Sequence, residues 1–336
     1  MEKTDNLQEM YKLILEGYLL TKSEQALSEA QKFSRQLIKT NMSPEEMVNI
    51  HITVAQEFIP NQPQEILDSN DLLLEVMVGY GLAYREHQSL RDRQKELDTE
   101  FEIAAKMQQE LLPKCVPQKK SLDIGIKSIA ANIVGGDYYH FKEDNKNNLG
   151  VAVADIIGKG VPAALCMSMI KYAMDSLLEE KLQPGTLLEN LNRVVEKNIS
   201  SDMFITMIYG SYDLINHRFS YAGAGHEPGF YYRNKSNEYL DLNTKGLVLG
   251  LTQTAKFQEY EIKVERGDLI VLLSDGVTEC RTENGFLDRF EIPKLINKYL
   301  HLSAQEIVEN VYLELEKLQG FQIKDDFTLM ILRRLV

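Results

Sequence analysis

The sequence predicts two domains: an all-α amino-terminal helical bundle, then a long linker helix leading into a mixed α/β half whose strands form a largely antiparallel sheet. Three observations carry this. Residues 1–110 hold only three glycines, Gly17, Gly79 and Gly81, and their apolar residues recur at three and four rather than at two. An apolar row spaced by seven runs from Val76 to Leu111. From Leu122 onward glycines cluster, and strand-like runs such as LGVAVA (Leu149 to Ala154), Phe204 to Tyr212 and LIVLL (Leu269 to Leu273) alternate with helical stretches.

In chain order, Ser43-Pro44-Glu45-Glu46 opens a helix with a cap, a first-turn proline and a capping-box glutamate at the expected offsets. Pro60 and Pro63 mark a break. A bundle of about three short helices therefore precedes a fourth, which starts near Asp68 and meets no breaker beyond Gly79 and Gly81 until Pro113. Within it Val76, Ala83, Leu90, Leu97, Ala104 and Leu111 fall seven apart. The companion row, Leu73, Tyr80, His87, Gln94, Phe101 and Gln108, turns polar in its middle. This is a weak coiled-coil seam, expected to pair with a second chain; the plainer alternative is a solvated linker helix with one apolar stripe. The expected boundaries are 1–82 for a helical domain, 83–117 for the linker helix and 118–336 for the mixed half. There, helices are expected at Val161 to Leu178, Gly185 to Asn198 and Ser303 to Leu318. Strands between Met203 and Val264 follow one another through short turns, which favours antiparallel pairing.

Composition removes several function classes. With 37 Lys and Arg against 50 Asp and Glu, the net charge of −13 repels polyanions, so nucleic acid is not an expected partner. No apolar run approaches the ~20 residues of a membrane span, and the first residues, MEKTDNLQEMYK, are polar where a signal peptide needs an apolar stretch. A soluble, cytoplasmic protein is the expectation. Cys115, Cys166 and Cys280 are odd in number and far apart, which argues against a disulfide framework or a zinc ribbon.

The chemistry concentrates in aspartates placed where strands meet loops: Asp137 in GGDYYHF, Asp155 in VADIIGKG, Asp275 in LLSDGVTE and the pair Asp325-Asp326 in KDDFTLMIL. Carboxylates gathered on one rim repel one another unless a cation lies among them, and short oxygen ligands without nitrogen or sulfur suit Mg²⁺ or Mn²⁺ rather than Zn²⁺. The flanking Gly135, Gly136, Gly158, Gly160 and Gly276 allow backbone to approach a ligand closely. Singly these motifs are weak; Ser-Asp-Gly is also a common turn. GKG at 158–160 lacks the phosphate-loop pattern, and His226 in AGAGHEP has no nucleophile elbow beside it and reads as structural.

Taken in order, GGDYYHF, ADIIGKGVPAAL, AGAGHEP, LSDGVTE and DDFTLMIL resemble the metal-dependent serine/threonine phosphatases of type 2C, and more narrowly their bacterial SpoIIE-like branch, over residues 118–336. The linker ending IAAKMQQELLP and the helical half extend the resemblance to the RsbU-like phosphatases of the sigma-B stress response. The resemblance implies an α/β sandwich of two mainly antiparallel sheets flanked by helices. It implies two Mn²⁺ or Mg²⁺ ions held by Asp137, Asp155, Asp275 and one of Asp325 and Asp326, with Asp325 favoured and Asp155 bridging. Relatives often have Asp-Gly where this chain has Asp155-Ile156; the second residue contributes a backbone oxygen, which Ile156 retains. Hydrolysis would then use metal-activated water and no protein nucleophile, in keeping with the absence of a C-x₅-R sequence. The implied substrate is a phosphorylated anti-anti-sigma factor, a STAS-domain protein. The implied activator is RsbT-like and binds the amino-terminal domain of a homodimer. Two other classes remain at this point: an inactive phosphatase-like scaffold, which should have lost an aspartate, and a metal-dependent nuclease, which the charge disfavours.

Overall fold

The computed structural model describes residues 2–40, 42–144, 147–157, 160–177, 183–199, 203–282, 285–321 and 323–336. The chain divides into two compact units, Met1–Asp98 and Thr99–Val336.

The first unit is helical, with α1 (Glu2–Thr21), α2 (Glu24–Lys39), α3 (Pro44–Phe58) and the start of α4 (Gln64–Leu111). The capping box forms as the sequence predicts: Ser43 N–H donates to Glu46 Oε2 at 2.8 Å, and Ser43 Oγ accepts from Glu46 N–H. Leu7, Phe33 and Leu37 make a small core, with Met10, Tyr11 and Ile14 against it. Arg85 of α4 donates to Glu45 Oε1 at 2.6 Å, at the first turn of α3. α4 is the long helix expected from the sequence and begins four residues before Asp68.

The second unit holds β1 (Leu122–Ile129), β2 (Asp137–Glu143), β3 (Asn148–Ile156), α5 (Val161–Leu177), α6 (Pro184–Asn198), β4 (Ile205–Asp213), β5 (Arg218–Ala224), β6 (Gly229–Arg233), β7 (Glu238–Leu242), β8 (Tyr260–Lys263), β9 (Leu269–Leu273), α7 (Asp275–Thr278), β10 (Arg281–Thr282), β11 (Gly285–Phe286), α8 (Glu291–Lys298), α9 (Ala304–Leu318) and β12 (Phe327–Arg334). Two five-stranded sheets, ordered β1-β12-β9-β6-β7 and β2-β3-β4-β5-β8, are antiparallel throughout. Their inner faces share a core that includes Leu149, Val151, Val153, Ile270, Leu272 and Met330. Outside, α5 and α6 cover the second sheet through residues such as Met167 and Leu188, while α8 and α9 cover the first through Ile292 and Val308. Strands such as β3 and β9 are thus buried on both faces, which is why they read as continuous apolar runs without alternation.

Sequence patterning misses α7 and α8, which are too short for a helical period to show, and β1, whose polar residues break the apolar run. Leu178, Gly158 and Lys159 lie outside the described residues. Among the described residues, no helix is long and apolar enough to cross a membrane.

Candidate metal centre

Antiparallel register does the first part of the assembly. Asp137 opens β2, Asp155 lies one residue from the end of β3, and the two stand directly opposite each other across the ladder. In the other sheet, Asp275 follows β9 and Asp325-Asp326 precede β12; Ser274 N–H donates to Thr328 O at 2.9 Å, which holds these two ends together. The sheets are joined at this rim by Ser274 Oγ, which donates to Asp137 Oδ2 at 2.7 Å and accepts from Thr328 N–H at 3.0 Å. All the aspartates singled out in the sequence therefore meet at one end of the sandwich.

Their electrostatics show a shared site. Burial pushes the Asp155 carboxyl up to about 7, and the negative charges of Asp275, Asp326 and Asp325 add to it. Asp137 is buried and held well above the usual carboxylate range, by burial first and by Asp155 and Asp326 second, while hydrogen bonds from Thr328 and Ser274 act against the rise. Asp275 is raised by burial and by Asp325. None of the ion pairs among the described residues involves these aspartates. Asp137 Oδ1 is buried without a hydrogen-bond partner. Raised carboxyls and an orphaned buried oxygen are what remains when the counter-charge of a cluster is a separate cation.

Glycine makes the close approach possible. A Cβ on Gly136 would stand 2.7 Å from both Asp155 Oδ1 and the Ile156 carbonyl oxygen, so these two oxygens converge where the side chain is missing. A Cβ on Gly276 would lie 2.0 Å from Asp326 O, so the turn after Asp275 packs directly on the DD pair. The donor set is oxygen only and fits a hard divalent cation. Among the described residues no three of these side chains close into a ready-made cage.

The neighbouring carboxylates Asp325 and Asp326 have different tasks. Asp326 accepts from Ala131 N–H at 2.7 Å and from Gly136 N–H, so its oxygens pin the β2 loop. Asp325 is exposed, and its carboxylate accepts the N–H of Asp326 at 3.0 Å. His226, also buried, is used up structurally: Nδ1 pairs with Thr206 Oγ1 at 2.8 Å and Nε2 with Leu273 O at 3.1 Å. Sequence reasoning missed Ser274 and Thr328, whose hydroxyl and amide only matter once β9 and β12 lie side by side. It placed Gln108 merely in the linker seam, whereas this side chain is buried and bonded to Gly135.

Residues 145–335 match the Stage II sporulation protein E (SpoIIE) family, and residues 9–83 match the N-terminal domain of phosphoserine phosphatase RsbU. The chain is 53% identical to phosphoserine phosphatase RsbU of Bacillus subtilis over 336 residues, all of both chains. Among solved structures, it is similar to the SiaA-PP2C domain of Pseudomonas aeruginosa, with a TM-score of 0.63 at 20% identity over 72% of this chain and 98% of that one. It is also similar to the RsbU and RsbW domains of Rv1364c from Mycobacterium tuberculosis, with a TM-score of 0.55 at 25% identity over 64% of this chain and 60% of that one. With its PP2C-type sandwich, its rim of aspartates and a full-length likeness of this kind, the chain belongs to the RsbU family of phosphoserine phosphatases.

Proposed function

We propose that this phosphatase removes phosphate from the phosphoserine of an anti-anti-sigma factor, a small STAS-domain protein, and thereby switches on the sigma-B general stress response from the cytoplasm. The observation that carries the catalytic part is the set of carboxylates sharing one rim without a basic partner, with Asp137 Oδ1 buried and unbonded. Asp137, Asp155, Asp275, Asp325 and the Ile156 carbonyl oxygen would hold two Mn²⁺ or Mg²⁺ ions, with Asp155 shared between them. Such ions, when bound, activate water and screen the charge of the phosphate. The chain's own contribution is to aim the ligands: Ser274 orients Asp137, Gly136 admits Asp155 and Ile156, and Asp326 fixes the loop between them. Asp325 is the direct ligand of the pair in this reading, because only its Oδ1 is engaged, by the adjacent Asp326 N–H, whereas both oxygens of Asp326 accept loop amides, from Ala131 and Gly136.

Regulation is assigned to the amino-terminal domain, residues 1–82, as the docking site of an RsbT-like activator, in line with the match to the RsbU N-terminal domain. The test is hydrolysis of the phosphorylated STAS-domain protein with and without Mn²⁺ and activator. Asp155→Asn and Asp325→Asn should fall to background with the circular dichroism spectrum intact, whereas Asp326→Asn, which still offers one acceptor to the loop, should keep measurable turnover. Normal turnover by Asp155→Asn in saturating Mn²⁺ would sink the two-ion reading.

A further inference from the structure

Gln108 lies near the end of α4, in the part of that helix belonging to the second unit. Ala104 and Leu111 share its face, four residues before and three after. Ala104 is buried against Val134 and Ala164, and Leu111 packs on the core beneath β2 to β5. This anchors the helix so that Gln108 points inward, where it is 7% exposed. Its amide makes two hydrogen bonds to one residue: Nε2 donates to Gly135 O at 2.6 Å, and Oε1 accepts from Gly135 N–H at 3.0 Å. The pairing fixes the amide's orientation, since the carbonyl needs a donor and the N–H an acceptor.

Gly135 is the residue before the junction on which the aspartates depend. The next residue, Gly136, donates its N–H to Asp326 and accepts from Ile156 N–H at 3.0 Å, and Asp137 follows. One peptide segment thus touches all three strand ends that bring Asp137, Asp155 and Asp326 to the rim. Gln108 is also one wall of a cavity of about 110 Å³ whose other walls include Ser128, Asp137 and Asp326. A side chain that clamps the segment from a helix can set the loop that carries the ligands without touching substrate or ion.

We infer that Gln108 is a positioning residue of the metal centre, holding the Gly135–Asp137 segment in the conformation that binds the ions; this rests on the metal-centre reading given above. Replacing it leaves a buried N–H and C=O unpaired at Gly135 and frees the loop. Loss of a partner bonded directly to a ligand costs about 10- to 100-fold in metal affinity, and a clamp on Gly135, two residues from Asp137, belongs at the lower end of that range.

The experiment is calorimetric titration of the full chain with Mn²⁺, alongside hydrogen exchange of the Gly135 and Gly136 amides in the metal-free protein. Gln108→Met keeps the volume and removes both bonds; it should weaken Mn²⁺ binding about tenfold or more and speed amide exchange. Turnover at saturating Mn²⁺ should fall far less than the metal affinity. Gln109→Ala, an exposed neighbour, should match the parent. Parent-like Mn²⁺ affinity and exchange in Gln108→Met overturn the proposal. Should that variant not fold, Gln108→Glu decides: it retains the acceptor for Gly135 N–H but sets a carboxylate against Gly135 O, and parent-like affinity there is equally fatal. If the parent and Asp155→Asn take up Mn²⁺ alike, the metal-centre reading itself falls. If only Asp155→Asn loses binding, the centre stands and Gln108 has no part in it.

Discussion

His226 sits in one of the motifs that mark the family's fold, yet its ring does no chemistry that the geometry supports. Burial holds it neutral, lowering its pKa from the ordinary 6.5 to about 4, with the Leu273 carbonyl partly opposing the drop. The sign of the consequence is fixed by proton counting. Between these values the unfolded chain takes up a proton and the folded one does not, so stability is complete above pH 6.5 and lost as pH falls toward 4. The slope is at most about 1.4 kcal/mol per pH unit for one group. Asp137 and Asp155, raised in the metal-free protein, work in the opposite direction, losing stability as pH rises. The histidine contribution is therefore read by difference. His226→Gln, which preserves an acceptor and a donor but does not titrate, should flatten the fall in urea-unfolding free energy across that window. An unchanged slope would mean that His226 is not held neutral.

At the scale of elements, α4 carries the regulatory hypothesis. On the single chain Val76 is 59%, Leu90 65% and Leu97 42% exposed, an apolar row with nothing described over it. A helix face of this kind is stabilised by a partner. The row changes character at its end, because Ala104 is buried against Val134 and Ala164, so the stretch open to pairing stops before it. His87 and Gln94 interrupt the companion row and leave the seam marginal, and a marginal element is easily shifted by a ligand. We propose that activator binding orders two such helices side by side. His87→Leu combined with Gln94→Leu should then raise phosphoserine hydrolysis in the absence of activator. Proline at Gln94 should abolish activation and leave activator binding largely intact, as measured by pull-down and turnover on the same preparations. Parent-like behaviour of both variants would make the helix a passive tether.

For the whole molecule, the two units differ in how much they bury. The sandwich has three extended cores, whereas the first unit closes over a small cluster around Leu7, Phe33 and Leu37 and leaves Leu13 at 69%, Leu20 at 79% and Leu72 at 68% exposed. About 80 residues make only a small core alone, so association of two copies through the helical domain is the proposed remedy. Residues 1–98 expressed alone should sediment as a dimer and bind the activator. A monomer without activator binding would count against both roles of that domain.

Much of this was open to reading in the residues. Capping boxes, proline breaks and three-four periodicity act locally, so the helical half, the long helix and the start of α9 at Ser303 follow from neighbours a few positions apart. The motif order also pointed to aspartates that the fold gathers at one rim, since each stands where a strand meets a loop. Tertiary structure alone decided which groups surround them. Ser274 reaches Asp137 across 137 positions, and Asp326 pins Gly136 across 190. Gln108, written in the sequence as one more polar residue of a seam, becomes a clamp on Gly135. Local pattern records the period of an element and where it ends; which strand end lies beside which, and what charge each carboxylate feels there, is set by sheet register and burial, and these exist only in the folded chain.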